Sequence, residues 1–386
     1  MIDAVRAALV HEWLTVRAGS EMQAEALGEM FPQAPVHVLV HDPQRYTGSL
    51  ASHELHTSFI NRLPFARTRY RAYLPLFPLA IEQFDLRGHE LVLSSCHAVA
   101  KGVLTGADQL HVCYCHTPIR YAWDLYHTYL EDARLTRGLR SAFARAMLHR
   151  LRAWDFQAAQ RVDVFVANSH CVRRRIAKTY RRAAHVVHPG VAVERFHPQS
   201  RRDDFYLVVS RLVPYKRVEL ICEAFTAMNK PLIVIGDGPL RERVERSAGP
   251  TVRLLGHLPD EAVADHMQRC RAFVFAADED FGMVSVEAQA AGAPVIALGR
   301  GGSLETVAPD LSGLFFPEQS VDAIRQAVLR FEARRSDFDP LRIAERAQAF
   351  SFVRYKREMT RLIDRALDLH RRDLPVEPHS ERPEAP

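Results

Sequence analysis

The sequence predicts an α/β protein built on two parallel sheets, and three observations carry that expectation. The chain has 386 residues, too long for one ordinary core and suited to two, domains of roughly 100 to 200 residues being the usual unit. Short apolar runs alternate with helix-like periods almost throughout, and near-continuous apolar strands joined by helices describe parallel sheets covered on both faces. At HPGVAVERFHPQSRRDDF (188–205), Pro189, Gly190 and Pro198 interrupt the periodicity before a fresh strand begins, which marks a linker.

The elements follow in order. MIDAVRAALVHEW carries Arg6 and His11 inside its apolar stretch and has no small-residue cleavage site, so it reads as a first strand (AALVH, 7–11) and not as a signal peptide. VHVLV (36–40), LVLSS (91–95), HVCYC (111–115) and VFVANS (164–169) complete a first domain over residues 1–190. YLVVS (206–210), PLIVIG (231–236), VRLLG (252–256), AFVFAA (272–277) and PVIAL (294–298) make a second over residues 199–350. A helix over residues 351–370 is expected to return toward the first domain, and the proline-rich, charged residues 371–386 read as a disordered tail.

Composition narrows the class. Apolar content is 47% and charged content 25%, ordinary for a globular chain, and no apolar run approaches the roughly 20 residues of a membrane span. Six cysteines, at 96, 113, 115, 171, 222 and 270, form no CxxC and no paired His spacing, so thiols in a reducing cytoplasm are expected and no metal site. Charge is uneven: residues 1–200 carry 24 Lys/Arg against 17 Asp/Glu, residues 201–386 carry 27 against 29. Two arginine-rich stretches account for the difference, 61–80 and RLTRGLRSAFARAMLHRLR (134–152). The latter spaces Leu135, Leu139, Phe143, Met147 and Leu151 four apart, a helix whose stripe suits either an anionic membrane surface or the core. Nucleic-acid binding is disfavoured, because the aromatics of this half follow strand and helix cores and form no stacking platform.

Ligands of open parallel sheets bind beyond the carboxyl ends of the strands. After AFVFAA comes DEDFGM, and a helix is expected from Val284 or Ser285 to Ala291, closed by Gly292. The backbone N–H groups of Phe281, Gly282, Met283 and Val284 then stand at a helix mouth suited to phosphate or sugar oxygens. Glu279 precedes that helix and Glu287 is placed in its first turn. Two acceptor-only carboxylates there suit a sugar and a ribose, although a pair of surface acids has the same composition. In YLVVSRLVPYKR, Arg211 follows a strand and Lys216 is read as beginning the next helix. Two such cations can neutralise a diphosphate without a metal. Gly236 and Gly238 occupy the next strand-to-helix loop, where tight turns need glycine anyway. In the first domain, Gly19 and Ser20 open a helix after the first strand, and His116 stands just past HVCYC with Arg120 and Asp124 behind it. His116 alone fits a satisfied turn histidine equally well.

With these pieces together, the chain resembles the retaining, metal-independent glycosyltransferases of family four, through EDFGMVSVE, AQAAGAPVIALGRGGSLETV and SRLVPYKR. SCHAVAKGV, CYCHTPIRYAWDLYHTYL and LPLFPLAIEQFDL resemble the branch that transfers mannose from GDP-mannose in bacterial O-antigen or exopolysaccharide synthesis. The resemblance implies the GT-B fold, two Rossmann-like domains with parallel sheets facing across a cleft, and no cofactor. It implies that Arg211 and Lys216 bind the donor diphosphate, Glu287 the ribose, and Glu279 with the Asp280–Met283 backbone the transferred sugar and its phosphate. Gly19 matches the glycine loop at the diphosphate, although Ala18-Gly19 stands where the family often has Gly-Gly. His116 matches the histidine at the donor sugar, and the base is placed near Gly236, Gly238, His257 and Leu258. Arg120 and Asp124 are assigned to the acceptor, a lipid-linked glycan, and the location to the cytoplasmic side of the membrane. A hydrolysing epimerase of the same fold would lack the EDFG-type loop. A non-catalytic nucleotide-sugar-binding subunit would not need Arg211, Lys216 and both glutamates.

Overall fold

The apolar runs form two parallel sheets, each built in the same strand order. The computed structural model describes residues 5–376, and these divide into two units, the chain up to His188 with the segment from Tyr355 onward, and Pro189–Arg354.

In the first unit, β1 (Ala7–Leu14), β2 (Val36–His41), β3 (Leu55–Thr57), β4 (Leu91–Cys96), β5 (Leu110–Cys115), β6 (Val164–Ala167) and β7 (His185–Val186) lie parallel in the order β3-β2-β1-β4-β5-β6-β7. Strand β1 pairs with β2 on one side (Leu9 with Val36) and β4 on the other (Ala8 with Val92). The chain therefore changes its direction of travel across the sheet between β1 and β4, the position at which parallel sheets generally bind ligands. Six of the eight β1 residues in succession are buried, as a strand covered on both faces requires. One face packs Phe77, Ile81, Phe165, Ile176 and Tyr180. Beneath it Lys101 pairs with Asp155, whose other oxygen accepts from Trp123 Nε1 at 2.7 Å and Tyr180 Oη at 2.9 Å. Every charge of that buried group is matched, which is the condition for keeping it out of water.

The second unit holds β8 (Tyr206–Val209), β9 (Leu232–Ile235), β10 (Val252–Gly256), β11 (Ala272–Phe275), β12 (Val295–Leu298) and β13 (Gly313–Phe316), in the order β10-β9-β8-β11-β12-β13. Its change of direction falls between β8 and β11. Alternate strand residues feed two cores: Phe225, Phe316, Val328 and Phe331 on one face, Met267, Phe273, Phe275, Val286 and Phe350 on the other.

Several expectations are corrected. Strands β3, β7 and β13, of three, two and four residues, were not anticipated; β3 and β7 are too short to set up a period, whereas β13 is as long as β6 and β8, which were read. The basic helix is Leu139–Ala159, with Gly138 at its N-cap in a positive-φ conformation, so Leu135 lies outside it. Its stripe is divided: Leu139 is 90% and Phe143 70% exposed, Met147 is half-buried and Leu151 is buried. The last helix, Phe352–Arg371, brings Tyr355 to within 5.4 Å of the Tyr114 ring, and pairs Lys356 with Glu29 and Arg371 with Glu90. The expected tail lies, from residue 377 on, outside the described residues. No disulfide forms among the six buried cysteines, and no described helix is long and apolar enough to cross a membrane.

Candidate functional site

The second unit gathers most of the anticipated residues at the carboxyl edge of its sheet, around the β8/β11 change of direction. Arg211 is exposed in the loop after β8, and no carboxylate among the described residues is paired with its guanidinium. Its loop is fixed by the one after β9: Leu212 N donates to Asp237 O at 2.9 Å and Leu240 N to Leu212 O at 3.1 Å. Gly236 has φ 134°, and a Cβ there would stand 1.9 Å from Ser210 O; one at Gly238 would stand 2.4 Å from Leu212 O. These glycines let two loops touch backbone to backbone, so they position Arg211.

Lys216 does not begin a helix. It ends the 3-10 turn Pro214–Lys216, and Arg217 in the left-handed conformation turns the chain into the helix Val218–Met228. The ammonium group lies against the Phe275 ring at 5.6 Å and pairs with Glu279 from the loop after β11, the two side chains being 12% and 18% exposed. Opposite charges assigned to phosphate and to sugar thus hold each other.

The Glu279 loop is clamped in turn. Gly302 N donates to Glu279 O at 2.8 Å, and a Cβ on Gly302 would stand 2.2 Å from Phe281 Cα. The Gly301-Gly302 turn therefore fits under this loop only without side chains. The sequence carried that signal in GRGGS, but nothing local told what the glycines would approach. Phe281 is a core residue, its ring 5.6 Å from Phe350, so only its backbone is available for binding.

The following helix starts at Met283, one or two residues earlier than expected, with Gly282 as N-cap at φ 88°. Ala occupying that position would strain the backbone. Glu287 accordingly sits in the second turn. Burial drives its carboxyl up to about 7, with Arg195 opposing and Asp260 reinforcing the rise; Arg195 and Asp260 lie 3.5 Å apart. Neither partner was anticipated, for both are distant in sequence. His257 is exposed and Leu258 half-buried in the turn after β10.

The first unit builds a separate polar cluster around the β1/β4 change of direction. Glu12, on β1, is buried, and its Oε1 accepts from the backbone N–H of His97, Ala98, Val99 and Ala100 at 2.8–3.1 Å. Burial works against its charge, but His97, His11 and these amides outweigh it and hold the carboxyl well below the usual range. Its Oε2 lies 3.1 Å from His97 Nδ1. His11 donates through Nδ1 to Ser95 O at 2.9 Å and has Nε2 3.5 Å from Glu21. Burial opposes protonation of His11, yet Glu21 and Glu12 raise its pKa. Glu21 also accepts from Ala18 N at 3.1 Å and Ser20 Oγ at 3.0 Å, so a carboxylate already stands at the helix mouth beside Gly19. His116 accepts from or donates to Ser95 Oγ at 2.9 Å, and burial, then His97 and His11, lower its pKa to about 3. Ligand-type atoms of His11, Glu12 and His97 come within 4.8 Å of one another, and His11 Nε2, Glu12 Oε2 and His97 Nδ1 are buried without a hydrogen bond. Arg120 and Asp124 pair at 3.4 Å, and Asp124 meets Arg175 at the same distance.

Comparison with known proteins agrees with this architecture. Residues 17–195 match the model "Glycosyltransferase Family 4" and residues 192–349 the model "Glycosyl transferases group 1". The chain is 31% identical over 208 residues to the GDP-mannose-dependent alpha-(1-6)-phosphatidylinositol monomannoside mannosyltransferase of Mycobacterium tuberculosis, covering 43% of this chain and 51% of that protein. It is 29% identical over 253 residues to the D-inositol 3-phosphate glycosyltransferase of Saccharomonospora viridis, covering 56% and 57%. The chain spans about half the length of the curated relatives it matches. Anabaena HepE in complex with UDP shares the fold, with a TM-score of 0.65, 15% identity, and coverage of 93% of this chain and 99% of that one. Two successive family domains and the GT-B fold support a family four glycosyltransferase.

The raised carboxyl of Glu287 fixes a sign. Its folded value lies above that of an unfolded carboxyl, so the folded state holds the proton longer and stability falls as pH rises from about 4.5 toward 7. Glu287→Gln is expected to remove that slope in thermal unfolding followed from pH 4 to 8, raising Tm at pH 8 by a few degrees, since about 1 kcal/mol moves Tm by roughly 2–4 °C in units of this size.

Proposed function

We propose that this chain is a retaining hexosyltransferase that moves a hexose from a sugar nucleotide, GDP-mannose in the first instance, to a hydroxyl of a lipid-linked glycan precursor. The observation that carries the reading is the Lys216–Glu279 pair at the β8/β11 edge, with Arg211 in the same loop after β8, together with the two family domains. A pyrophosphate is a stronger partner for two cations than one carboxylate is. When it takes Lys216 and Arg211, Glu279 is released to accept from sugar hydroxyls, while N–H groups at the Met283 helix mouth face the phosphate. Glu287, once ionised, accepts from the ribose.

The chemistry needs no protein nucleophile. The acceptor oxygen attacks the anomeric carbon on the face the diphosphate leaves, the C–O bond to phosphate breaks, and the departing phosphate oxygen takes the hydroxyl proton. The protein contributes position, worth up to about 7–11 kcal/mol in well-oriented reactions, and stabilisation of the leaving charge. His116 contacts the donor sugar. Mannose is favoured by the mycobacterial relative's name; a UDP-linked donor is the second reading, favoured by the UDP-bound fold relative. Arg120 and Asp124, already paired, shape the acceptor side.

The exposed Leu139 and Phe143, on a helix bearing Arg140, Arg145 and Arg150, form an apolar tip with basic flanks of the kind that rests on an anionic bilayer. Such docking would hold the enzyme at the inner face of the plasma membrane near its lipid-anchored acceptor.

Donor turnover with a panel of GDP- and UDP-hexoses tests the reading: Lys216→Ala is expected to lower kcat by about 100-fold or more with the fold intact, and near-normal turnover would refute the clamp. Phe143→Ser is expected to weaken sedimentation with phosphatidylglycerol vesicles; equal binding of the native protein to neutral and anionic vesicles would remove the electrostatic basis of docking.

A further inference from the structure

We propose that Glu12 and His97 form a hydroxyl-reading pair of the first unit, in which the outward nitrogen of His97 accepts a hydrogen bond from a hexose hydroxyl. The inference rests on the sugar-transfer reading above and adds residues which that reading does not use.

Topology puts the pair where ligands of parallel sheets bind. Glu12 comes from β1 and His97 directly follows β4, the two strands that flank the change of direction. Their geometry sets the chemistry. Four backbone amides hold Glu12 Oε1, so the carboxylate cannot turn, and Oε2 stays 3.1 Å from His97 Nδ1, a charge contact whose angle does not make a hydrogen bond. A carboxylate only accepts. The fixed negative charge 3.1 Å away therefore favours the proton of a neutral His97 ring on Nδ1, which leaves Nε2 its lone pair. The ring is 24% exposed, and of its nitrogens Nδ1 is the buried one. Trp13 braces it edge-on at 4.7 Å, and the His116 ring lies 6.3 Å away. An oriented acceptor beside the histidine assigned to the donor sugar suits a sugar hydroxyl, which donates readily. That hydroxyl belongs either to the transferred hexose or to the acceptor glycan.

The decisive variant is Glu12→Gln. Its amide oxygen can keep the four backbone donors, which leaves the NH2 group facing Nδ1. The ring proton must then sit on Nε2, and the acceptor becomes a donor without loss of the loop. The assay measures hexose transfer to octyl hexosides, hydrolysis of the same sugar nucleotides with water as acceptor, calorimetric binding of GDP and UDP, and Tm. Glu12→Gln and His97→Ala are each expected to lower kcat/KM for transfer by about 10- to 100-fold, with nucleoside diphosphate affinity unchanged. His97→Gln, whose amide oxygen stands near the place of Nε2, should recover much of the loss.

A loss confined to octyl hexoside transfer assigns the hydroxyl to the acceptor, and an equal loss in hydrolysis assigns it to the donor sugar. Full activity in a folded Glu12→Gln, or in His97→Ala, overturns the inference while leaving the transferase reading intact. Should Glu12→Gln fail to fold, the contrast of His97→Ala with His97→Gln decides, equal activities counting against it. A native protein that binds and turns over no sugar nucleotide overturns the transferase reading and this inference with it. Stoichiometric zinc in the purified protein, lost in His97→Ala, would make the pair part of a metal site and overturn the hydroxyl role.

Discussion

The ion pair of Lys216 with Glu279 is the contact on which the account of the second unit depends. Neither charge is fully buried, so the pair need not compensate a large desolvation cost, and a better anion can exchange for the carboxylate. Its partners are fixed before any ligand arrives. Lys216 is set by a 3-10 turn against Phe275, and Glu279 by a loop that Gly302 approaches too closely for any side chain. The pair thus holds a cation and an acceptor together at the strand ends.

The first unit uses the same strand order with different chemistry. Its change of direction between β1 and β4 presents carboxylates and imidazoles in place of cations, and Glu12 and Glu21 each hold a loop or helix end by accepting backbone N–H groups. Beside them stand the imidazoles of His11 and His97, His11 Nε2 3.5 Å from Glu21 and His97 Nδ1 3.1 Å from Glu12. The two sheets thus differ in which side chains end their strands, Arg211 and Lys216 with Glu279 on one and Glu12, Glu21 and His97 on the other.

Most of the fold was legible because it rests on local pattern. Ten apolar runs read as strands are strands, and the break at Pro189 falls where the units divide. The edge strands β3 and β7 escaped, since two or three residues such as His185–Val186 show no period. The site was legible as residue types and not as contacts. Arg211, Lys216, Glu279 and Glu287 could be named from position relative to strands, but the Lys216–Glu279 pair joins residues far apart in sequence and only topology brings β8 and β11 together. Gly236 and Gly238 read as turn formers, whereas their lack of a side chain serves a backbone contact with Ser210 and Leu212. Glu12 and His97 were passed over because a glutamate inside an apolar strand gives no hint of the four amides it will hold.

Calorimetric titration of GDP and UDP into the native protein and Glu279→Gln tests the exchange of partners at Lys216 most directly. If Glu279 competes with phosphate for the ammonium group, the variant binds the bare nucleoside diphosphate more tightly, by about tenfold for a charge-assisted contact. Unchanged or weaker binding in the variant would mean that Lys216 is not the cation a diphosphate takes, and the account of the second unit would fail.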